Sequence, residues 1–130
     1  MNEKSELAAA PVLAGQGAAL TAAIDALEQA IRYVVENYGK DIEGVSVGAV
    51  PMLKLFGIVA AGWQLLRSAL ISQQRLAAPK DGAGGGFDAG FYEAKIITSR
   101  FYADHVLSQA SGLAHSIIHG SAAALADGVL

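Results

Sequence analysis

Cysteine is absent from this 130-residue chain, and charged residues make up only 16% of it. Without cysteine the chain can form no disulfide, thiolate nucleophile or thiolate metal site. This suits a reducing compartment, and we expect a cytoplasmic protein. Nine basic residues against twelve acidic ones leave a net charge of −3. Because this offers no basic stripe, the sequence predicts no binding to nucleic acid.

A long hydrophobic run is also missing from the sequence. The most apolar stretch, residues 55–66, falls short of the ~20 residues that cross a bilayer, and it contains Gln64. The first six residues, MNEKSE, do not lead into the apolar core that a signal peptide requires. The sequence therefore predicts neither a membrane span nor a secretion signal.

Hydrophobic residues nevertheless make up 53% of the chain, and they recur at helical spacing. A first helix is predicted at about residues 18–38 and a second at about residues 48–78, with a loop at residues 39–47. Alternating steps of three and four residues place an apolar stripe along each helix. The predicted stripes comprise Leu20, Ile24, Leu27, Ile31, Val34 and Tyr38 on the first helix, and Met52, Phe56, Val59, Trp63, Leu66 and Leu70 on the second, where Leu55, Ile58, Leu65 and Ala69 widen the stripe.

Residues 91–126 contain no proline and predict one long third helix, with a bend or a close helix crossing at Gly112 or Gly120. At about 1.5 Å per residue this helix would be roughly 50 Å long, so it must pack on other helices or on another chain. Its stripe of apolar and small residues runs through Tyr92, Ile96, Ser99, Ala103, Val106, Ala110, Leu113, Ile117, Gly120 and Ala124.

These patterns predict an all-α fold, an up-down-up bundle of three long antiparallel helices. A short helix within residues 1–17, or a second copy of the chain, could complete the bundle. Residues 18–126 form the predicted domain, with tails at residues 1–17 and 127–130. The glycine-rich stretch from Lys80 to Asp88 is expected to form a loop.

Two motifs on the second and third helices resemble those of a known family. They are LKLFGIVAAGW at residues 53–63 and FYEAKIITSRFYA at residues 91–103. Together they are similar to the C-terminal helical domain of bacterial acyl-CoA dehydrogenases of the 3-methylmercaptopropionyl-CoA dehydrogenase subgroup. The resemblance covers roughly residues 18–126.

The resemblance implies a parent enzyme that removes hydrogen from the α and β carbons of an acyl-CoA thioester. It also implies that FAD and the thioester bind in the preceding domains, where a glutamate abstracts the α-proton and a hydride passes to the flavin. No FAD-binding or glutamate-bearing motif occurs in this chain, so no catalytic or cofactor-binding residue can be assigned. The resemblance implies partners in those catalytic domains, in a second copy forming a homodimer, or in both.

His115 and His119 lie one helical turn apart, the spacing of a two-histidine metal site. Asp104, eleven residues before His115, falls on nearly the same face of a continuous helix but is more than three turns away along its axis. A metal site needs a fixed third ligand and supporting contacts. The sequence therefore predicts no metal site and favours a solvated polar edge at these two histidines. His115 and His119 are the candidate ligands if a metal binds.

The remaining candidate residues are assigned to packing or to an interface. Phe56 and Trp63 are predicted to lie in the core, because they fall on the densest stripe. Tyr102 lies off the stripe of its helix and is predicted at an interface. Lys95 and Arg100 could dock on a partner domain or a CoA phosphate, but a role as solvated rim residues is favoured. The full set of predicted packing or interface residues is Phe56, Trp63, Tyr92, Lys95, Arg100, Phe101, Tyr102, Leu113 and Ile117.

Three functions remain open from the sequence. The favoured one is a structural domain without catalytic residues, which buries apolar helix faces on a catalytic portion or a second copy. The alternative is a free-standing helical protein that binds an apolar surface or a lipid-like ligand, in the manner of phasins. An independent enzyme is the third, although no serine lies beside a convincing base and acid for Ser–His–Asp catalysis.

Overall fold

The computed structural model describes residues 13–78 and 87–127, and the regular elements in these ranges are all helical. Residues 1–12 of the predicted N-terminal tail or short helix, and most of the predicted glycine-rich loop, lie outside them, whereas residues 14–17 of that tail form the first turn of a helix. The helices are α1 (Ala14–Asn37), α2 (Ile42–Val47), α3 (Ala49–Ala77), α4 (Ala89–His105), a 3₁₀ turn (Leu107–Gln109), α5 (Ala110–His119) and α6 (Ser121–Ala124).

Contacts between distant parts of the chain define the direction of the helices. The Ser99 hydroxyl in α4 donates a hydrogen bond of 2.6 Å to the Gln16 side-chain oxygen near the start of α1. At the other end of the bundle, Gly48 packs on Ile117 of α5, just before α3 begins. Thus α1 and the α4–α5 segment run in one direction and α3 runs in the other. The predicted all-α, up-down-up bundle is confirmed.

Helix α1 buries Leu20 of its predicted stripe together with three alanines beside the stripe, and Ile24, Leu27 and Val34 of the stripe are half-buried against the core. Ala23, Ala26 and Ala30 are buried, whereas Ile31 and Tyr38 are 37% and 63% exposed. Alanine lets neighbouring helices approach closely, so the buried face turns toward the alanines. Most of the larger residues then lie along the edge of the contact.

The predicted loop at residues 39–47 contains the short helix α2. The Asp41 carboxylate accepts a hydrogen bond of 3.0 Å from the Gly44 backbone N–H. This is a helix N-cap, which satisfies one of the donors left unpaired in the first turn. A six-residue helix is too short to produce a periodic signal, but its aspartate cap could have indicated it.

Helix α3 is the central element, and it buries part of its predicted stripe together with the residues that widen the stripe on one side. Leu55, Leu66 and Ala69 are buried, and so is Gly62. Phe56 is 46% exposed, so its predicted core position is wrong. Because α3 is apolar over most of its circumference, periodicity alone could not select the face that packs inward.

The predicted third helix is interrupted rather than continuous. Helix α4 ends at His105, a 3₁₀ turn follows at Leu107–Gln109, and α5 ends at His119, beside Gly120. The predicted bend at Gly120 is confirmed, whereas Gly112 lies within α5. The predicted stripe faces the core within the same chain, because Ser99, Ala103, Ala110 and Ile117 along it are buried.

The interruption coincides with a close contact between α3 and the third segment. Leu107 is 4% exposed, and its side chain lies over Gly62. A methyl group added to Gly62 would lie 2.6 Å from Cδ2 of Leu107. The glycine is therefore required by close packing and not by an unusual backbone angle.

We predict opposite effects for two glycine substitutions on α3. Gly57→Ala meets no atom within 4 Å, and alanine is favoured in a helix interior by about 0.8–1 kcal/mol, so this variant should be more stable than the wild type. Gly62→Ala must displace Leu107, and overpacking should place it about 1–3 kcal/mol below Gly57→Ala. Urea denaturation measures both free energies of unfolding.

The double variant Gly62→Ala/Leu107→Ala tests the cause of that difference. If the added methyl group acts through Leu107, the two substitutions together should cost less than the sum of their separate effects. Additive losses, or equal stability of the two glycine variants, would contradict this account of the contact.

Candidate docking surface

The outward face of α1 is that of a solvated helix. Asp25, Glu28, Arg32 and Glu36 are all exposed on it. Arg32 and Glu28 form an ion pair of 3.1 Å one turn apart. Pairs of this kind contribute only about 0.3–0.5 kcal/mol, but the charges keep this face in water.

The outward face of α3 has a different composition. No charged residue occurs between Lys54 and Arg67, a span that corresponds to about 20 Å along a helix axis. Val50 and Leu53 are 77% and 76% exposed at its start. We call this surface the α3 outer face; its exposed members are Val50, Leu53, Phe56, Gly57, Ala60, Ala61, Gln64 and Ile71, and the cations Lys54 and Arg67 are exposed in the same span.

The centre of the α3 outer face has small side chains, so another helix could approach it closely. Gly57, Ala60 and Ala61 are exposed there, with Leu53 and Phe56 before them and Ile71 beyond. Apolar patches of this kind mark interaction sites when they are contiguous. Its composition makes the α3 outer face the candidate docking site for an apolar partner.

Helix α3 also bears on the prediction that the chain has no membrane span, which stays a prediction. That expectation rested on the shortness of residues 55–66, but within residues 13–78 and 87–127 α3 has the length and the apolar composition to cross a bilayer, with a mean hydropathy of 1.5 in its most apolar window. Only 28% of this window is buried within the chain. Leu55 and Ala69 are fully buried in the bundle, so α3 is at once a core helix and the element with the exposed apolar face.

Exposed apolar residues also occur on α4. Ile97 is 67% exposed and Phe101 is 61% exposed. The Phe101 ring stacks on His105, with 4.3 Å between ring centroids. Phe101 thus lies on the surface of the chain, where the interface role predicted for it remains a hypothesis.

An aromatic cluster lies at the start of α4. The rings of Phe87 and Phe91 stack with their centroids 4.2 Å apart, and Tyr92 meets Phe91 edge-on at 5.5 Å. The Lys95 ammonium lies 5.2 Å from the centroid of the Phe91 ring, within the range of a cation–π interaction. Lys95 therefore has an intramolecular contact, as a rim residue would.

The other predicted cation of α4, Arg100, lies beside Asp104. Their side chains approach to 3.9 Å and are 77% and 63% exposed. An exposed pair at this distance contributes little stability. The pair is on the solvent side of α4 and away from the buried stripe.

Four of the predicted packing residues contact the core of the chain itself. Trp63 is half-buried, and the Arg67 guanidinium carbon lies 5.6 Å from the centroid of its ring. Ile117 is 1% exposed and Leu113 is half-buried beside the core. The fourth residue is Tyr102, which sequence reasoning assigned to an interface.

Tyr102 joins α4 to α3. Its hydroxyl donates a hydrogen bond of 2.9 Å to the backbone oxygen of Ile58, and its ring packs against the core. Burial raises the pKa of the Tyr102 hydroxyl above its ordinary value, because desolvation disfavours the charged phenolate. The contact that the sequence assigned to an interface is therefore made within the chain.

His115 and His119 both lie on α5, with ring centroids 4.8 Å apart. Asp104 lies on α4, before the interruption, so the continuous helix that would have aligned it with the histidines does not form. Among the described residues, no three histidine, aspartate or glutamate side chains are grouped closely enough to hold a metal ion. The acidic residue that shares a groove with the histidines is Asp25 of α1, which no spacing in the sequence could have indicated.

The fold and the sequence together define a class of protein: a helical domain of acyl-CoA dehydrogenase type. The chain belongs to the family described as "Acetyl-CoA dehydrogenase C-terminal like", which matches residues 1–126. The resemblance found in the sequence is thus confirmed.

A particular relative is the 3-methylmercaptopropionyl-CoA dehydrogenase of Ruegeria pomeroyi. It is 38% identical over 79 residues, which cover 61% of this chain and 12% of the relative. The match thus involves only a small part of the relative's own length. No solved structure matches this chain.

The hydrogen bond of Tyr102 leads to a pH-dependent prediction. Below pH 10.0, the ordinary pKa of tyrosine, the hydroxyl is protonated in both the folded and the unfolded chain. Above it the unfolded chain ionises first, so the contribution of Tyr102 to stability should decrease as the pH approaches the raised pKa of the folded state. Thermal unfolding of the wild type and Tyr102→Phe from neutral to alkaline pH measures this effect.

At neutral pH, Tyr102→Phe should be less stable by about 0.5–1.5 kcal/mol, the usual contribution of one hydrogen bond. This difference should narrow at alkaline pH. Tyr38→Phe is the matched control, since Tyr38 is 63% exposed. A constant difference between the wild type and Tyr102→Phe across the pH range would contradict the prediction.

Proposed function

We propose that this chain is a non-catalytic packing domain of an FAD-dependent acyl-CoA dehydrogenase and that it docks through the α3 outer face. The observation that carries the proposal is the contrast between the two long helices. Helix α1 presents charges to solvent, whereas α3 exposes Leu53, Ala60 and their neighbours without a charge between Lys54 and Arg67.

The partner that fits this role best is the catalytic portion of the parent enzyme. The matched segment is only 12% of the dehydrogenase relative, and FAD and the acyl-CoA thioester would bind in the remaining portion. There the α-proton and the β-hydride would be removed from the substrate. In this proposal the present chain contributes buried surface to that assembly in the cytoplasm.

A second copy of the chain is the other partner that could cover the α3 outer face. Interfaces gain most of their energy from a few well-packed apolar or aromatic anchors, and Leu53 and Phe56 are suitable ones beside the small residues at the centre of the face. Homodimerisation through the same surface would therefore occur when the catalytic portion is absent.

A phasin-like role is the second candidate, and the apolar length of α3 favours it. A protein with that role would bind hydrophobic particles and would have no affinity for a dehydrogenase. The two candidates therefore differ in the partner that the same surface recognises.

The experiment compares two alanine-to-lysine variants. Ala60→Lys places a charge in the middle of the α3 outer face, whereas Ala18→Lys places one on the exposed side of α1. The chain is co-expressed with the FAD-binding acyl-CoA dehydrogenase portion from the same organism, and flavin absorbance is followed through affinity purification and gel filtration. Wild type and Ala18→Lys should retain the flavoprotein, and Ala60→Lys should lose at least about tenfold in affinity, equivalent to 1.4 kcal/mol.

Sedimentation velocity of the purified chain tests homodimerisation separately. The wild type and Ala18→Lys should sediment at more than the 13.3 kDa of the monomer at micromolar concentration, and Ala60→Lys should shift toward that mass. Monomeric behaviour of all three chains would contradict dimerisation. Binding to hydrophobic particles without retention of the flavoprotein would favour the phasin-like role.

A further inference from the structure

A groove between α1 and α5 lies apart from the α3 outer face. Its volume is about 380 Å³, and His115 and His119 form part of its α5 wall. Asp25 and Gln29 of α1 line the opposite side. This places two imidazoles, a carboxylate and an amide around one opening, a combination that the packing role does not use.

We propose that this groove binds one divalent transition-metal ion through His115 and His119. The two ring centroids are 4.8 Å apart. Two imidazoles that ligate one ion at about 2.0–2.1 Å, with an angle of about 90–110° between them, have centroids roughly 4.5–5.2 Å apart. The observed separation falls in this range, so the two rings are close enough to share one ion.

The backbone of α5 places the two histidines one turn apart on the same side of the helix. Both histidines lie within the continuous helix Ala110–His119, where residues four apart face the same side. A helix therefore holds the two imidazoles ready to bind, whereas two histidines on a flexible loop would lose conformational freedom on binding the ion. This rigidity distinguishes the pair from isolated surface histidines.

The coordination number follows from the surroundings of the pair. No third histidine, aspartate or glutamate among the described residues is close enough to complete a cluster with them, so water molecules occupy the remaining positions. Asp25 acts at longer range, through its negative charge or through a bound water. A site with two neutral nitrogen ligands and water favours Cu²⁺ over Ni²⁺ and Zn²⁺, following the general order of stability of these complexes.

Titration of the purified chain with Cu²⁺ tests the site. Calorimetry should give one ion per chain at the groove, and the electron paramagnetic resonance spectrum of the bound Cu²⁺ should show nitrogen coupling from two imidazoles. His115→Ala and His119→Ala should each lower the affinity at least tenfold, because even residues that only support a ligand contribute about 10–100-fold. Both side chains are exposed, so these variants should keep the wild-type unfolding temperature in the absence of metal.

His105→Ala is the matched control, since His105 lies on α4 and stacks on Phe101. It should bind Cu²⁺ like the wild type, whereas Asp25→Asn should show a weaker loss than either ligand variant. Copper bound by other groups, such as the α-amino group, would persist in His115→Ala/His119→Ala and gives the background. Wild-type affinity in His119→Ala, or an equal loss in His105→Ala, would overturn the proposal.

The titration also separates this proposal from the docking role. Ala60→Lys should bind Cu²⁺ normally, since Ala60 lies on α3 and outside the groove. Conversely, His115→Ala should retain the flavoprotein partner as the wild type does. A single variant that loses both kinds of binding would indicate that the two surfaces are not independent.

Discussion

The arrangement of this domain depends on the contact between Gly62 and Leu107. Leu107 fills the space over Gly62 from the 3₁₀ turn between α4 and α5, and a residue in that turn cannot be part of one straight helix. The contact therefore determines where the third segment changes direction. It also selects the side of α3 that faces inward, since the face that contains Gly62 must be the one that receives the leucine.

The α3 outer face is a consequence of which side of α3 packs inward. With Gly62, Leu66 and Ala69 directed inward, Leu53, Ala60 and Ile71 point away from the bundle on the opposite side. On α1, charged residues occupy the equivalent surface. The apolar surface of α3 thus arises because α3 is hydrophobic over nearly its whole circumference but packs on other helices on only one side.

The sequence predicted the parts of this structure that periodicity determines. The stripe from Tyr92 to Ile117 was correct because small and apolar residues alternate with polar ones there, which leaves a single side that can be buried. The same reasoning included Leu55 in the apolar surface of α3 but wrongly assigned Phe56 to the core as well, because the two are equally apolar and only the neighbouring helix distinguishes them. Local patterns cannot supply that information.

The interruption after His105 shows a second limit of sequence reasoning. The segment Val106 to Gln109 contains neither proline nor glycine, so nothing local indicates a break. The third segment bends there because a tertiary contact outweighs the modest preference of each residue for the helix. The groove between α1 and α5 was hidden for a related reason: Asp25 and the two histidines are far apart in the chain and meet only after the bundle forms.

The buried alanines imply an unusual sensitivity to mutation. Seven of the fifteen buried hydrophobic residues in the described part of the chain are alanines, among them Ala23, Ala30, Ala69 and Ala110. At these alanine positions truncation removes little, because the side chains are already minimal, but an enlarged side chain must push two helices apart. Variation there should therefore be confined to alanine, glycine and serine, whereas the other eight buried hydrophobic residues, all Leu, Ile or Val, lose stability when they are truncated.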